Sequence, residues 1–300
     1  MIEAIKTEKS FGDIEAVKNI SATIKEGAVF GLVGTNGAGK STFLRMVAGI
    51  LKPEKGQILI DGEDVFENEV AKNKLFFIPD EQYFFPNATP KDMMEYYAMI
   101  YPKFDKDKFA EYIEKFDLVM NRKISTFSKG MKRQVSVLLG ICAGTKYLLC
   151  DETFDGLDPV MRQAVKSIFV SEIVSREFTP IVASHNLREL EDICDHVGLL
   201  HKGGILFSRD LEDMKSNIHK VQCVLKNSTE EEVLLKDLEV LACSRSGSLL
   251  TITARGTSME IAERISRRDY VFQEILPLTL EEIFISETEV EGYDIKNLIF

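Results

Sequence analysis

The chain has 300 residues, of which 45% are hydrophobic and 28% charged, and its formal net charge is −11. The acidic balance argues against a nucleic-acid binder, which normally shows a basic face, while the length fits one large domain plus one small one with a substantial buried core. No apolar run reaches the ~18–20 residues that cross a bilayer, and Met1-Ile2-Glu3-Ala4-Ile5-Lys6 has no signal-like apolar core, so a cytoplasmic protein is expected.

In chain order, Thr23-Ile24-Lys25 and Ala28 to Val33 read as strands on either side of the turn Glu26-Gly27. Directly behind the second strand stands Gly34-Thr35-Asn36-Gly37-Ala38-Gly39-Lys40-Ser41, which has the Walker A spacing. A polyphosphate needs several backbone N–H groups aimed inward, which a glycine-rich turn allows because Cβ atoms would block the approach. The helix that follows, from Lys40 to about Ala48, presents its positive dipole end to the same anion. Lys40 is then placed to reach the β- and γ-phosphates, and the Ser41 hydroxyl to hold Mg²⁺. Gly34, Thr35, Asn36, Gly37, Ala38, Gly39, Lys40, Ser41 and Thr42 are the expected nucleotide-binding stretch.

Gln57 to Ile60 runs into the turn signal Asp61-Gly62, and Leu75 to Ile78 is a short buried-strand pattern ended by Pro79. From Thr89 the pattern becomes helical, opening with an N-cap threonine, a proline and an acidic residue. Met93, Met94, Tyr97 and Ile100 follow at helical spacing and are read as core; Val135, Leu138, Leu139 and Cys142 form the apolar face of a later helix. Strands return at Tyr147 to Cys150 and Pro180 to Ala183, with a helix from about Pro159 to Ser175 between them. This alternation predicts a mostly parallel α/β sheet with its ligand site at the carboxyl ends of the strands, and an all-helical insertion at about residues 88–143.

The Tyr147–Cys150 strand delivers Asp151 and Glu152 to its carboxyl end, where a parallel sheet also places the Lys40 loop. Asp151 suits a hard cation, and Glu152 can polarise a water for attack on a γ-phosphate, making it the candidate catalytic base. Beyond about residue 215 the character changes. Val221 to Leu225, Glu231 to Leu235 and Leu249 to Thr253 read as short strands, and Ser258 to Ile265 and Leu278 to Phe284 as helices. A small α+β domain over 216–300 is expected after a main domain over 1–215, with packing or dimer support as its role. The five cysteines contain no C-x-x-C pair, so reduced, mostly buried thiols are expected rather than a zinc site or a disulfide framework.

Over about residues 1–215 the chain resembles the ATPase subunits of ATP-binding-cassette (ABC) transporters, in particular bacterial export-type cassettes with separate membrane subunits. Phe127-Ser128-Lys129-Gly130-Met131 stands where the family has its Leu-Ser-Gly-Gly-Gln type signature, Gly156-Leu157-Asp158 matches the D-loop, and His185 matches the switch histidine. Phe11 takes the place of the aromatic residue that stacks on adenine in relatives. Two departures stand out. Lys129 and Met131 replace glycine and glutamine, and the Q-loop glutamine gives way to Asp80, followed by Glu81 and Gln82, which leaves open which of the three faces the metal.

The resemblance implies a P-loop ATPase using ATP and Mg²⁺. Its catalytic residues would be Glu152 and His185, its metal ligands Ser41, Asp80 and Asp151, and further nucleotide contacts would come from Phe11 and from Ser128, Lys129 and Gly130. It also implies a head-to-tail pair, with itself or with a second ATPase subunit, in which each ATP lies between the Lys40 loop of one chain and the Ser128 segment of the other. The pair would drive a separate membrane-spanning permease from the inner face of the cell membrane. The alternative within the family is an ATPase acting on the ribosome or DNA, which would bring tandem cassettes or a long coiled-coil insertion. A stand-alone P-loop kinase would lack the Ser128 segment and His185.

Overall fold

The computed structural model describes residues 1–154, 156–227 and 229–290. The chain divides into two compact units, Met1–Ser208 and the residues from Arg209 onward. Residues 291–300 of the expected C-terminal domain lie outside the described residues.

The first unit is built on two sheets. Strands β1 (Ile2–Phe11), β2 (Ile14–Ile24), β4 (Lys55–Ile60) and β5 (Glu63–Asp64) form one, in the order β2-β1-β4-β5, with every neighbouring pair antiparallel. The other runs β10-β9-β3-β8-β7-β6, from β3 (Phe30–Val33), β6 (Leu75–Ile78), β7 (Tyr147–Asp151), β8 (Thr179–Ser184), β9 (His196–His201) and β10 (Gly204–Asp210). Strands β6, β7, β8, β3 and β9 are parallel neighbours. All residues of β3, β7 and β8 are buried, as expected of strands covered on both faces.

Helix α1 (Lys40–Val47) lies between the two sheets. Its Phe43, Leu44, Met46 and Val47 join Ile2, Ile20 and Ile58 on one side and Leu32, Leu149 and Ile181 on the other in a single core. The helical segment comprises α3 (Pro90–Ile100) and α4 (Lys106–Lys115), after the short α2 (Glu69–Lys72), and then α5 (Lys129–Cys142). Thr89 and Asp92 form a reciprocal capping box that fixes the start of α3. Met93 and Met94 are buried, but Ile100, expected in the core, is 44% exposed: it is the last residue of α3, and the extended Tyr101 that follows packs on Phe76 instead, with ring centroids 5.3 Å apart. Helix α5 packs so tightly on the sheet that a Cβ at Gly140 would lie 2.6 Å from Leu148 Cδ1 and 3.1 Å from Phe76 Cδ1. Helix α6 (Pro159–Ser175) and α7 (Leu187–Ile193) complete the unit.

The second unit follows α8 (Leu211–Asn217) with β11 (Ile218–Leu225), α9 (Thr229–Asp237), β12 (Glu239–Ser246), β13 (Leu249–Arg255), α10 (Ser258–Ser266), β14 (Tyr270–Leu276) and α11 (Leu280–Val290). The sheet order β12-β13-β11-β14, antiparallel throughout, is the split β-α-β-β-α-β arrangement. Val221, Cys223, Leu250, Ile252 and Ala254 on the strands meet Leu234 on α9, Leu238 just after it, and Ile261 and Ile265 on α10. Glu231 to Leu235, expected as a strand, lies in α9. Leu234 and Leu238, one helical turn apart, are both buried, and Glu230, Glu231 and Glu232 sit in the first turn, where the helix dipole favours them.

Candidate active site

The loop from Gly34 to Gly39 is shaped by close backbone contacts. A Cβ at Gly34 would stand 2.4 Å from the Leu200 carbonyl oxygen, and one at Gly39 would stand 2.2 Å from the Ala16 carbonyl oxygen. Gly39 also has φ +103°, a conformation that side chains disfavour. Gly37 has φ +80° with open space around its Cβ position, so its freedom serves the turn itself. Inside the loop, Ala38 N–H donates to Thr35 O at 3.1 Å and Phe43 N–H to Gly39 O at 2.8 Å, which starts α1 directly beneath.

The resulting cavity of about 510 Å³ is lined by Ile14, Ala16, residues 36–42, Asp80, Glu152 and His185. Lys40 is 5% exposed; its ammonium donates to Gly34 O at 2.7 Å and Thr35 O at 3.2 Å and pairs with Glu152 Oε1 at 3.1 Å. The other Glu152 oxygen lies 2.8 Å from His185 Nδ1. Glu152 is held with φ +48°, a left-handed conformation uncommon for a non-glycine residue, while its N–H donates to Ala183 O at 2.9 Å on the adjacent strand. That backbone turn aims the carboxylate into the cavity rather than along β7.

Beneath the cavity floor Ser41 Oγ donates to Asp151 Oδ1 at 2.9 Å. Asp151 is fully buried and its second oxygen, Oδ2, has no hydrogen-bond partner. Burial raises its pKa above the usual carboxylate range, against the pull of the Ser41 hydroxyl and Arg45. An orphaned buried carboxylate oxygen beside a hydroxyl, at the edge of a phosphate-shaped loop, is a donor set that fits Mg²⁺. Ser41 and Asp151 would hold the ion, which would neutralise charge on the phosphates.

The structure separates Asp80, Glu81 and Gln82. Asp80 lines the cavity, and Arg133 Nη2 donates to its Oδ1 at 3.4 Å. Gln82 instead donates back to its own backbone, to Asp80 O at 2.8 Å and Pro79 O at 3.3 Å, and Glu81 is exposed outside the cavity lining. Phe11 is not brought to the cavity: it lies 49% exposed at the end of β1, paired with Ile14, and Lys9 sits 5.5 Å above its ring. Ile14 and Ala16 on the next strand line the cavity in its stead. No motif marked them; their position follows from the Gly12 turn and the β1–β2 register. Ser128, Lys129 and Gly130 also lie apart from the cavity lining. Ser128 caps α5, accepting from Met131 N–H at 3.2 Å.

A family model for "ABC transporter" matches residues 17–155. The bacitracin transport ATP-binding protein of Bacillus licheniformis is 30% identical over 241 residues, covering 79% of this chain and 78% of that protein. An ABC transporter ATP-binding protein of Bacillus subtilis, YtrB, is 28% identical over 287 residues, covering 96% of this chain and 98% of its own length. Among solved structures, the ATP-binding subunit of an ABC transporter superposes with TM-score 0.64 at 23% identity, covering 72% of this chain and 92% of that one. A dimeric bacterial ABC transporter cassette gives 0.63 at 20% identity, with 70% and 99% covered. With the strand–loop–helix nucleotide site in place, the chain belongs to the ATP-binding subunits of ABC transporters, and it is an ATPase.

Proposed function

We propose that this subunit hydrolyses Mg·ATP at a composite site formed by two subunits head to tail, and so energises a separate permease at the inner face of the membrane. The observation that carries the reading is the convergence of Lys40, Ser41 with Asp151, and Glu152 with His185 on one cavity. In this reading Lys40 binds the β- and γ-phosphates, Glu152 takes the proton of the attacking water, and His185 orients Glu152 and the γ-phosphate. Asp80, which lines the same cavity, would offer a further carboxylate to the metal. The Lys40–Glu152 pair holds the base against the loop until phosphate oxygens compete for the ammonium. A positioned base contributes roughly 10²–10⁴ in rate.

The Ser128 segment supports a second subunit. A Cβ at Gly130 would meet nothing closer than Gly156 O at 3.7 Å and Ser128 Oγ at 3.9 Å, ordinary contacts that leave glycine unneeded within the chain. Since glycine costs up to ~1 kcal/mol relative to alanine in a helix, close approach by a nucleotide phosphate from another chain is the reading it fits. Among the described residues no helix is long and apolar enough to cross a membrane, and in this reading the membrane-spanning part is a separate subunit. Exposed Tyr83, Phe85, Met99 and Ile100, next to the Asp80 segment, form an apolar surface suited to that partner.

The reading is tested by Glu152→Gln, which keeps size and hydrogen bonding but removes the base. Turnover should fall by roughly 10²-fold or more while ATP binding survives, and the ATP-bound dimer should accumulate on gel filtration. Mixing inactive Lys40→Ala chains with inactive Gly130→Asp chains should restore part of the activity, because both lesions then fall on one composite site. Parent turnover in Glu152→Gln, or no recovery on mixing, would count against it.

A further inference from the structure

We propose that Glu189 and Arg162 are positioning residues for His185 that tie its turn to the Gly156-Leu157-Asp158 segment; the inference rests on reading His185 and Glu152 as catalytic. Glu189 lies in α7 and is 2% exposed, too buried for a solvated surface charge. Both of its oxygens serve the residues flanking His185. Oε2 accepts from Ser184 Oγ at 3.1 Å, and Oε1 accepts from Asn186 Nδ2 at 3.2 Å. The ring closes because Ser184 Oγ also accepts Asn186 N–H at 2.9 Å. His185 is therefore mounted on a turn whose two sides are fastened to one buried carboxylate, and its imidazole meets Glu152 at 2.8 Å.

Arg162, on α6, connects this turn to a second loop. Its Nη1 lies 3.7 Å from Glu189 Oε1 and donates to Leu157 O at 3.0 Å, while Nε stands 3.5 Å from Asp192 Oδ2. Asp158 in turn caps α6, accepting from Met161 N–H at 3.0 Å. A displacement of the Leu157 carbonyl thus reaches His185 through two side chains, Arg162 and Glu189. The carboxylate is required for this. Ser184 Oγ and Asn186 Nδ2 donate to it and the Arg162 guanidinium pairs with its charge at 3.7 Å, whereas an amide of the same size offers a donor where one acceptor is needed and carries no charge.

The test compares Glu189→Gln, Arg162→Met and Arg162→Lys with His185→Ala and with the double variant Glu189→Gln/His185→Ala. Steady-state ATPase and backbone hydrogen exchange are measured on the full chain. Glu189→Gln should lower kcat roughly tenfold with KM for ATP within about twofold, and speed exchange at both residues 184–188 and 156–158. In the His185→Ala background the same substitution should change kcat by less than about twofold, since it acts through the lost side chain. Arg162→Met should repeat the pattern and Arg162→Lys recover part of it; these two carry the test if Glu189→Gln does not fold. Equal losses from Glu189→Gln with and without His185 would overturn the proposal, as would exchange at 184–188 that stays at the parent rate. If His185→Ala alone keeps the parent kcat, the catalytic reading of His185 fails, and the exchange measurement still decides the positioning.

Discussion

Asp151→Asn should stabilise the nucleotide-free protein and weaken its hold on Mg·ATP, opposite effects from one exchange of oxygen for nitrogen. The Asp151 carboxylate is fully buried, with one oxygen on the Ser41 hydroxyl at 2.9 Å and the other without a donor. Its folded pKa is raised, chiefly by burial. The folded state therefore binds the proton more tightly than the unfolded chain does. The charge destabilises the fold above the folded pKa, and the penalty vanishes as pH drops below the unfolded value of ~3.9. An unsatisfied buried polar group costs ~1–3 kcal/mol and more when charged, and the amide leaves one such group of its own. A net gain of about 1 kcal/mol near pH 7 follows, or ~2–4 °C in the unfolding midpoint for a unit of this size. Mg·ATP at a hundred times its Kd should add ~2.7 kcal/mol to the parent, and the variant should lose most of that increment. Thermal unfolding followed by circular dichroism at pH 7 and at pH 4, with and without Mg·ATP, measures both effects. A variant less stable than the parent at pH 7 without nucleotide would refute the argument, as would one that keeps the full Mg·ATP increment.

Lys40→Ala should abolish ATPase activity and sharply weaken ATP binding in equilibrium dialysis, since Lys40 is the buried cation of the loop. Gly39→Ala places a Cβ 2.2 Å from a backbone oxygen at φ +103°; the left-handed conformation alone costs ~1–2 kcal/mol, so a loss of at least about 2 kcal/mol is expected in a denaturant titration. Asp61 should be the acid-sensitive tie of the first unit. Burial would raise its pKa, but hydrogen bonds from the chain's amino group, Tyr147, Lys74 and Lys146 outweigh burial and hold it well below the usual range. That stability is present above the unfolded value of ~3.9 and is lost as pH falls through the lower folded pKa. Asp61→Asn should therefore be less stable than the parent at pH 7, with the gap closing in strong acid.

The parts of the site that were legible in sequence are those set by short stretches of chain. Gly34 to Ser41 is announced by its own glycines and the strand before it, although Gly34 and Gly39 also press on the distant Leu200 and Ala16 carbonyls, and Asp151-Glu152 by the apolar run Tyr147 to Cys150. The helix from Pro159 to Ser175 and the strand Leu75 to Ile78 match the structure at both ends, because proline and polar punctuation mark them. What escaped depends on pairing between distant segments. Strand β1 and most of β2 are a bulged, irregular hairpin whose alternation is broken by register shifts near Ala4, Thr7 and Lys9, so no clean period appears. Phe11 and Ile14 are opposite each other across its turn, and only the register decides which one reaches the cavity. The Glu152–Lys40 pair joins residues more than a hundred positions apart, and nothing near either one announces it. In α9 the compact Val-Leu-Leu run imitated a strand while the buried spacing of Leu234 and Leu238 was helical.

Gly140 gives α5 a mechanical property. With hydrogen in place of a methyl group, the helix backbone rests on Leu148, Phe76 and Ile78, leaving no cushion of side chain to be compressed or sheared. Strand β6 leads to Asp80, β7 ends at Asp151, and α5 begins beside Ser128, so three chemically distinct points are fixed to one stiff joint. A displacement of one of them should therefore carry the other two with it. A larger residue at position 140 would act as a shim: the reactive groups on each part would survive while their timing relative to one another was lost.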